Sequence, residues 1–333
     1  HRPGVGRAGF RCLPARDSDI FAMIATRIAI LGTLDFTSVT VTVSPALADG
    51  LNEYLDEADE AVYSGRQFVS TTWDGVVAMD MVEVRHFGGM AMVGSGPAYT
   101  IIGQGKVNPV GSRDAALAYV PRARAPVIHA YDIAGGELST RFGRTTKTID
   151  IVENGVVRMR WVIDTATAAT LKTEVFDADG NLFRYSNMVE FSPSAAGMED
   201  YEDDGEYQMM LPLDEVGVPD GAGRYRLIDA YPTSAETEHG FYTDGLFRFS
   251  LFAIDGRVDV AKIAADGRTW AVDGFEYVRV ITPAEVWILW NAPDQTFVLG
   301  GDLPPDHLEE VVADLPRPGQ RNWFVRAWRR MFG

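Results

Sequence analysis

Residues 156–191 read VVRMRWVIDTATAATLKTEVFDADGNLFRYSNMVEF, and the class of the fold follows from this stretch. Val157, Met159, Trp161 and Ile163 alternate with Arg158, Arg160, Val162 and Asp164, the period of two that marks a half-buried strand. A Thr/Ala connection leads to a second strand, Leu171 to Phe176. Asp179-Gly180 then suits a tight turn, because glycine tolerates positive φ. The return strand, 182–191, sets Phe183, Tyr185, Val189 and Phe191 on one face if the alternation is unbroken. An aromatic sheet face needs a cover, and the identity of that cover bears on function.

Strand signals continue on both sides. Upstream, 67–72, 76–87, 90–93, 99–102 and 147–152 read as strands, with Asp74-Gly75, Gly88-Gly89 and Asn154-Gly155 as turns, while 128–133 and 138–142 are less distinct. Asp49 to Val62 carries Leu51, Tyr54, Leu55, Ala58, Ala61 and Val62 at helical spacing and predicts an amphipathic helix ended by Ser64-Gly65. A short helix is expected over 114–119. Downstream, 198–210 is dense in acids without apolar periodicity and reads as a linker; its acids miss the offsets of a calcium loop. A second set of strands lies at 224–230, 241–243, 246–254, 275–281, 285–290 and 296–299, with a short helix at 258–263. Pro304-Pro305 introduces a helix over 306–313, since proline at a helix start sacrifices no hydrogen bond. The predicted class is α+β: a segment at 1–48, a larger sheet domain at 49–197, the linker at 198–210, a smaller α+β domain at 211–316 and a tail at 317–333.

Charge narrows the function. The total is −17, with +2 over 1–48 and +5 over 317–333, so 49–316 carry −24. So acidic a body repels nucleic acid, which is set aside as a partner. No apolar run reaches the roughly 18 residues of a membrane span. The lone Cys12 lies in a segment expected to be absent from the mature chain, which leaves no disulfide framework, a composition that suits an oxidising compartment. Residues 1–22 are aperiodic and read as read-through. From Met23, Arg27, apolar 28–34 and Ala46-Leu47-Ala48 compose an export signal with cleavage after Ala48; an apolar strand is the alternative. In the tail, Trp323, Phe324, Trp328 and Met331 share a helical stripe, with Arg326, Arg329 and Arg330 elsewhere. That pattern suits peripheral contact with an anionic membrane or an acidic partner, or docking on the chain's own acidic body.

Catalytic motifs do not emerge. The five histidines lie far apart, without HxH or HxxxH spacing, so no metal site is predicted. Gly103-Gln104-Gly105-Lys106 lacks the spacing of a phosphate loop, and Gly94-Ser95-Gly96 is too short for a nucleophile elbow. Neither a catalytic residue nor a cofactor is assigned, and an enzyme is not expected.

Taken together, the helix LNEYLDEADEAVYSGRQFVST, the meander WVIDTATAATLKTEVFDADGNLFRYSNMVEF and the later GFYTDGLFRFSLFAIDGRV and WAVDGFEYVRV resemble the MucB/RseB family of extracytoplasmic sigma-factor regulators over about Leu51 to Leu315. The DTATAATLK connection lacks the proline expected before the second strand, and the Arg/Trp tail is not a general family feature. The resemblance implies a larger domain similar to periplasmic lipoprotein carriers of the LolA/LolB type: a large curved antiparallel sheet, an incomplete barrel, with plugging helices. It implies a periplasmic protein that binds the extracytoplasmic region of a membrane anti-sigma factor, tunes its proteolysis and senses a lipid or lipoprotein acyl chain. A lipid or lipoprotein carrier is the alternative. A curved sheet closed only by short helices leaves an apolar concavity, and Trp161, Phe183, Tyr185 and Phe191 are the expected lining, with plain core packing as the other reading. Phe247 and Phe249, flanking Arg248, are expected either in the core or at an edge that receives a partner segment. Self-association is left open.

Overall fold

The computed structural model describes residues 61–87, 90–95, 98–104, 115–120, 131–194, 217–234, 237–283 and 285–319. The export-like segment, most of the predicted first helix, the acidic linker, and Trp323, Arg326, Trp328, Arg329 and Arg330 of the tail lie outside the described residues.

The described residues build two open sheets, neither closed into a barrel. The first has ten strands: β1 (Tyr63–Trp73), β2 (Val76–Phe87), β3 (Met90–Ser95), β4 (Ala98–Gln104), β5 (Ala115–Val120), β6 (Asp132–Arg141), β7 (Arg144–Glu153), β8 (Val156–Asp164), β9 (Thr170–Phe176) and β10 (Leu182–Ser192). Their order is β5-β4-β3-β2-β1-β10-β9-β8-β7-β6. Two meanders therefore run outward from a central antiparallel pair, β1 with β10, and every neighbouring pair is antiparallel except β4 with β5. The edge strands β5 and β6 are consecutive in the chain, so the order is that of a cyclic meander opened at one seam.

Asp74-Gly75, Phe142-Gly143 and Asn154-Gly155 turn the hairpins with both residues at positive φ, the geometry that matches the right-handed twist of the flanking strands. Two sequence expectations are corrected. Ala115–Val120 pairs with β4 as a strand rather than forming a helix, because pairing satisfies its backbone where a single helical turn would not. Ser64-Gly65 lies inside β1 and not at a helix end; Gly65 approaches Glu190 of β10 too closely for any side chain.

The aromatic face of β10 is also not the continuous one that alternation predicts. Two bulges, at Phe183 and Val189, each insert a residue outside the pairing register and reverse the parity. Arg184 and Ser186 consequently share a face with Val69 and Thr71 of β1, whereas Tyr185 pairs with Ser70 and Glu174 on the opposite face. Beyond the second bulge, Phe191 sits opposite Gly65, back on the face of Tyr63.

The second sheet has eight strands: β11 (Gly221–Ala222), β12 (Tyr225–Ser234), β13 (Thr237–Thr243), β14 (Arg248–Asp255), β15 (Arg268–Val272), β16 (Phe275–Ile281), β17 (Val286–Asn291) and β18 (Gln295–Gly301), in the order β11-β12-β13-β14-β18-β17-β16-β15. The runs LFAI, VWILW and TFVLGG are buried on both faces, as near-continuous apolar strands should be. Between β14 and β15 lies α1 (Val260–Ile263), capped by the Asp259 carboxylate. After β18, α2 (Pro305–Asp314) starts on its proline and buries His307, Leu308, Val311 and Val312. The turn before β14 is held by Asp244, whose Oδ1 accepts the backbone N–H of Leu246 and of Phe247 at 2.9 and 2.8 Å.

The two sheets pack on one another. One apolar cluster joins Ile149, Met159, Trp161, Val175 and Phe183 of the first sheet to Tyr225, Phe247, Phe249, Trp290 and α2. A second joins Tyr63, Val69, Val82, Val84, Leu171 and Met188 to Phe252, Ile254, Trp287, Leu289, Val298 and Val260.

Candidate functional site: a charged seam between the sheets

The densest chemistry among the described residues lies where the sheets meet. It starts from the β7–β8 hairpin. Between Ile151/Val152 and Met159/Val157 the register slips, and Arg158 is the inserted residue. The bulge turns Arg158 away from solvent, leaving it 1% exposed. Alternation had assigned it to the polar face with Arg160; the bulge is the physical reason for the difference.

Arg158 donates from Nη2 to Asp306 Oδ2 of α2 at 2.7 Å, and its Nε lies 3.3 Å from Glu153 Oε2. Glu153, at the end of β7, also pairs with Arg224, just ahead of β12. Arg224 in turn donates from Nε to Glu310 Oε2 of α2 at 2.9 Å. At the centre is His307, fully buried: Nε2 lies 3.4 Å from Glu153 Oε2, and Nδ1 lies 2.6 Å from the Tyr225 hydroxyl. The Phe247 ring meets the imidazole edge-on at 5.1 Å between centroids. Close by, the Tyr131 hydroxyl donates to Asp244 Oδ2 at 2.5 Å, and burial together with that carboxylate pushes its ionisation well up.

Burial opposes ionisation of Glu153, but the His307 bond and charge and the Arg224 guanidinium outweigh it and hold the carboxyl down to about 2. A depressed carboxylate contributes its stability fully above its unfolded value and loses it as pH falls through the folded one. Wild type should therefore lose about 2 kcal/mol more between pH 6 and pH 2.5 than Glu153→Gln. Urea unfolding at intermediate pH values checks this, and parallel acid limbs would refute it.

A second buried charge group lies nearby. Arg184 of β10, aimed inward by the first bulge, is within electrostatic reach of Glu285, Asp302 and Arg248 of the second sheet. Burial pushes both carboxyls up, and Arg184 partly offsets this. Asp302 Oδ1 accepts the Arg248 backbone N–H at 2.9 Å. At the rim, Trp73 of β1 meets Trp270 edge-on at 5.2 Å, the Arg279 guanidinium lies 4.1 Å over the Trp73 ring, and Thr71 donates to the Pro283 carbonyl.

The structure divides the sequence-predicted lining residues. Trp161 and Phe183 are each 2% exposed and lie in the cluster shared with the second sheet. Phe191 packs beside Tyr63 and Phe142, with the Arg144 guanidinium 5.8 Å from its ring. Tyr185 is on the opposite face, against Phe68 and Lys172. On that same face Ser70 stands between Met79 and Tyr185, and Thr72 pairs with Val77; Met79 and Val77 are 61% and 51% exposed. Phe247 and Phe249 are buried; Phe249, in β14, stacks on Tyr242, and β14 lies between β13 and β18 and so is not at a sheet edge, while Phe247 ends the turn just before that strand. His86 stacks on Tyr63 and His239 on Phe252, while His1 and His129 lie outside the described residues.

Sequence reasoning missed Glu153, Arg158, Arg224 and the chemistry of α2. The available signal was local: opposite charges bracketing Asn154-Gly155, and the DHLEE opening after Pro304-Pro305. Nothing in a single sequence joins two segments about 150 residues apart.

Among solved structures, the chain is similar to a crystal structure of MucB, at 18% identity and a TM-score of 0.45, covering 84% of this chain and all of that one. It is similar to the MucA/MucB complex of Pseudomonas aeruginosa at 15% identity and a TM-score of 0.42, covering 82% of this chain and 98% of that one. A LolA superfamily protein from Nitrosomonas europaea matches at 10% identity and a TM-score of 0.18, covering 77% of this chain and 95% of that one. No family model matches the sequence. No curated protein matches it either.

Proposed function

We propose that the chain is an exported regulatory binding protein that holds the extracytoplasmic region of a membrane anti-sigma factor and tunes its proteolysis, with a lipid or lipoprotein acyl chain as the signal. The sequence resemblance supplies this reading. The observation that carries it over the alternative, a lipid or lipoprotein carrier, is what occupies the Trp161–Phe183 face. A carrier needs that sheet face for cargo; here the chain's own second sheet fills it with two apolar clusters and a charged seam. A second sheet held this firmly supports regulation, since cargo transport needs only the first. Under this reading the acyl-accepting surface is the opposite face, with Phe68, Val77, Met79 and Tyr185.

Affinity capture of the tagged chain from gently solubilised membranes, with proteins and extractable lipids identified in one eluate, tests this. A stoichiometric single-span membrane protein with a cytoplasmic sigma-binding domain is the expected result. Bound lipid without such a partner would replace this reading with the carrier.

A further inference from the structure

At one end of the second sheet three charged residues stand in a row. Val286 pairs with Gly301, and Gly301 with Phe249, so one step outward Glu285, Asp302 and Arg248 lie side by side across the line of β17, β18 and β14. The period of two gives them the face of Trp287, Gly300 and Ser250. From the first sheet, Arg184 comes within electrostatic reach of all three, and Thr71 of β1 donates to the carbonyl of Pro283, in the turn before Glu285. The row is enclosed: Glu285, Asp302 and Arg248 are 3%, 2% and 8% exposed. Polar groups buried to this degree require hydrogen-bond partners. Asp302 Oδ1 has one, the Arg248 backbone N–H. Glu285 Oε2, Asp302 Oδ2 and Arg248 Nε have none among the described residues, and neither does Trp287 Nε1.

We infer that the Glu285–Asp302–Arg248 row is an internal water site, its waters bridging the two carboxylates to the N–H groups of Arg248 and Trp287. The chemistry of the row selects this guest. Two carboxylates repel an anion and the guanidiniums of Arg248 and Arg184 repel a cation, so the guest is neutral, and it must both donate and accept. Side chains on neighbouring strands stand about 5 Å apart, close to the ~5.6 Å that one water spans with two hydrogen bonds. Buried waters make about three hydrogen bonds each, so about two of them, bonded to one another, reach all four atoms. The contact between the sheets is then dry over its two apolar clusters and wet at this end.

Oxygen-17 magnetic relaxation dispersion on the full chain, which counts long-lived internal waters, tests the site. Replacing Glu285→Leu together with Arg248→Met removes an acceptor and a donor from the row and fills it with apolar atoms. The count should fall by about two waters relative to wild type. Equal counts in the two proteins would overturn the inference. Should the double variant fail to fold, a high-resolution crystal structure of the wild type decides the matter. Single-oxygen density within hydrogen-bond distance of Glu285 Oε2, Asp302 Oδ2 and Arg248 Nε supports the water site. A direct Glu285–Arg248 contact with no water between them overturns it, and so does density for a larger organic guest.

Discussion

Arg158→Ala should lower the unfolding free energy by about 3–5 kcal/mol, the cost of removing one partner from a buried ion pair. The side chain is almost wholly enclosed and it links β8 to α2, with Glu153 on one side and Asp306 on the other. Deleting it leaves the buried Glu153 and the partly exposed Asp306 without the guanidinium they share, while Arg224 stays paired with Glu153. Substituting Asp306→Asn in the same chain removes one of those charges, so the double variant should recover more than 1 kcal/mol relative to the sum of the single losses. Urea unfolding at pH 7, followed both by Trp fluorescence and by far-ultraviolet circular dichroism, measures both numbers. A loss below about 1 kcal/mol would mean that the seam tolerates the missing cation, as solvated ion pairs do.

Gly300→Ala should cost about 2–3 kcal/mol, from overpacking at the centre of the second sheet. Gly300 of β18 lies directly opposite Trp287 of β17, and a Cβ there would meet the indole ring at 2.6 Å. Trp287 is 1% exposed and part of the cluster that reaches the first sheet, so it has nowhere to retreat. The pair is one device: the glycine leaves a slot and the ring fills it. Trp287→Leu by itself opens a cavity, yet combined with Gly300→Ala the two losses should fall short of additivity by more than 1 kcal/mol. Strict additivity, from thermal or urea unfolding of the four proteins, would refute the slot.

The strands were legible where turn chemistry and alternation agreed. Asp74-Gly75 and Asn154-Gly155 adopt the positive φ values their composition allows, and β2 and β16 have the bounds that the sequence pattern predicts. Alternation failed where bulges intervene, since an inserted residue leaves no mark in composition. Phe183, Val189 and Arg158 are all such residues, and each reverses the facing of the strand beyond it. The expected lining of Trp161, Phe183, Tyr185 and Phe191 was thus divided between two faces. The 114–119 helix was misread because AALAYV has good helix formers, and a long-range pairing with β4 overrides local preference. The seam was illegible for a similar reason: its ion pairs span sequence separations of up to 154 residues.

The central position of β1 and β10 has a mechanical consequence. The strand by which the chain enters the first sheet is hydrogen-bonded to the strand by which it leaves: Ser64 stands opposite Ser192, and its hydroxyl donates to the Ser194 carbonyl at 2.6 Å. The ten strands are thus suspended from a single clasp, with β5 and β6 as the two outer edges. A shift at either edge changes no covalent path to the second sheet and reaches it only through the contacts between the two faces.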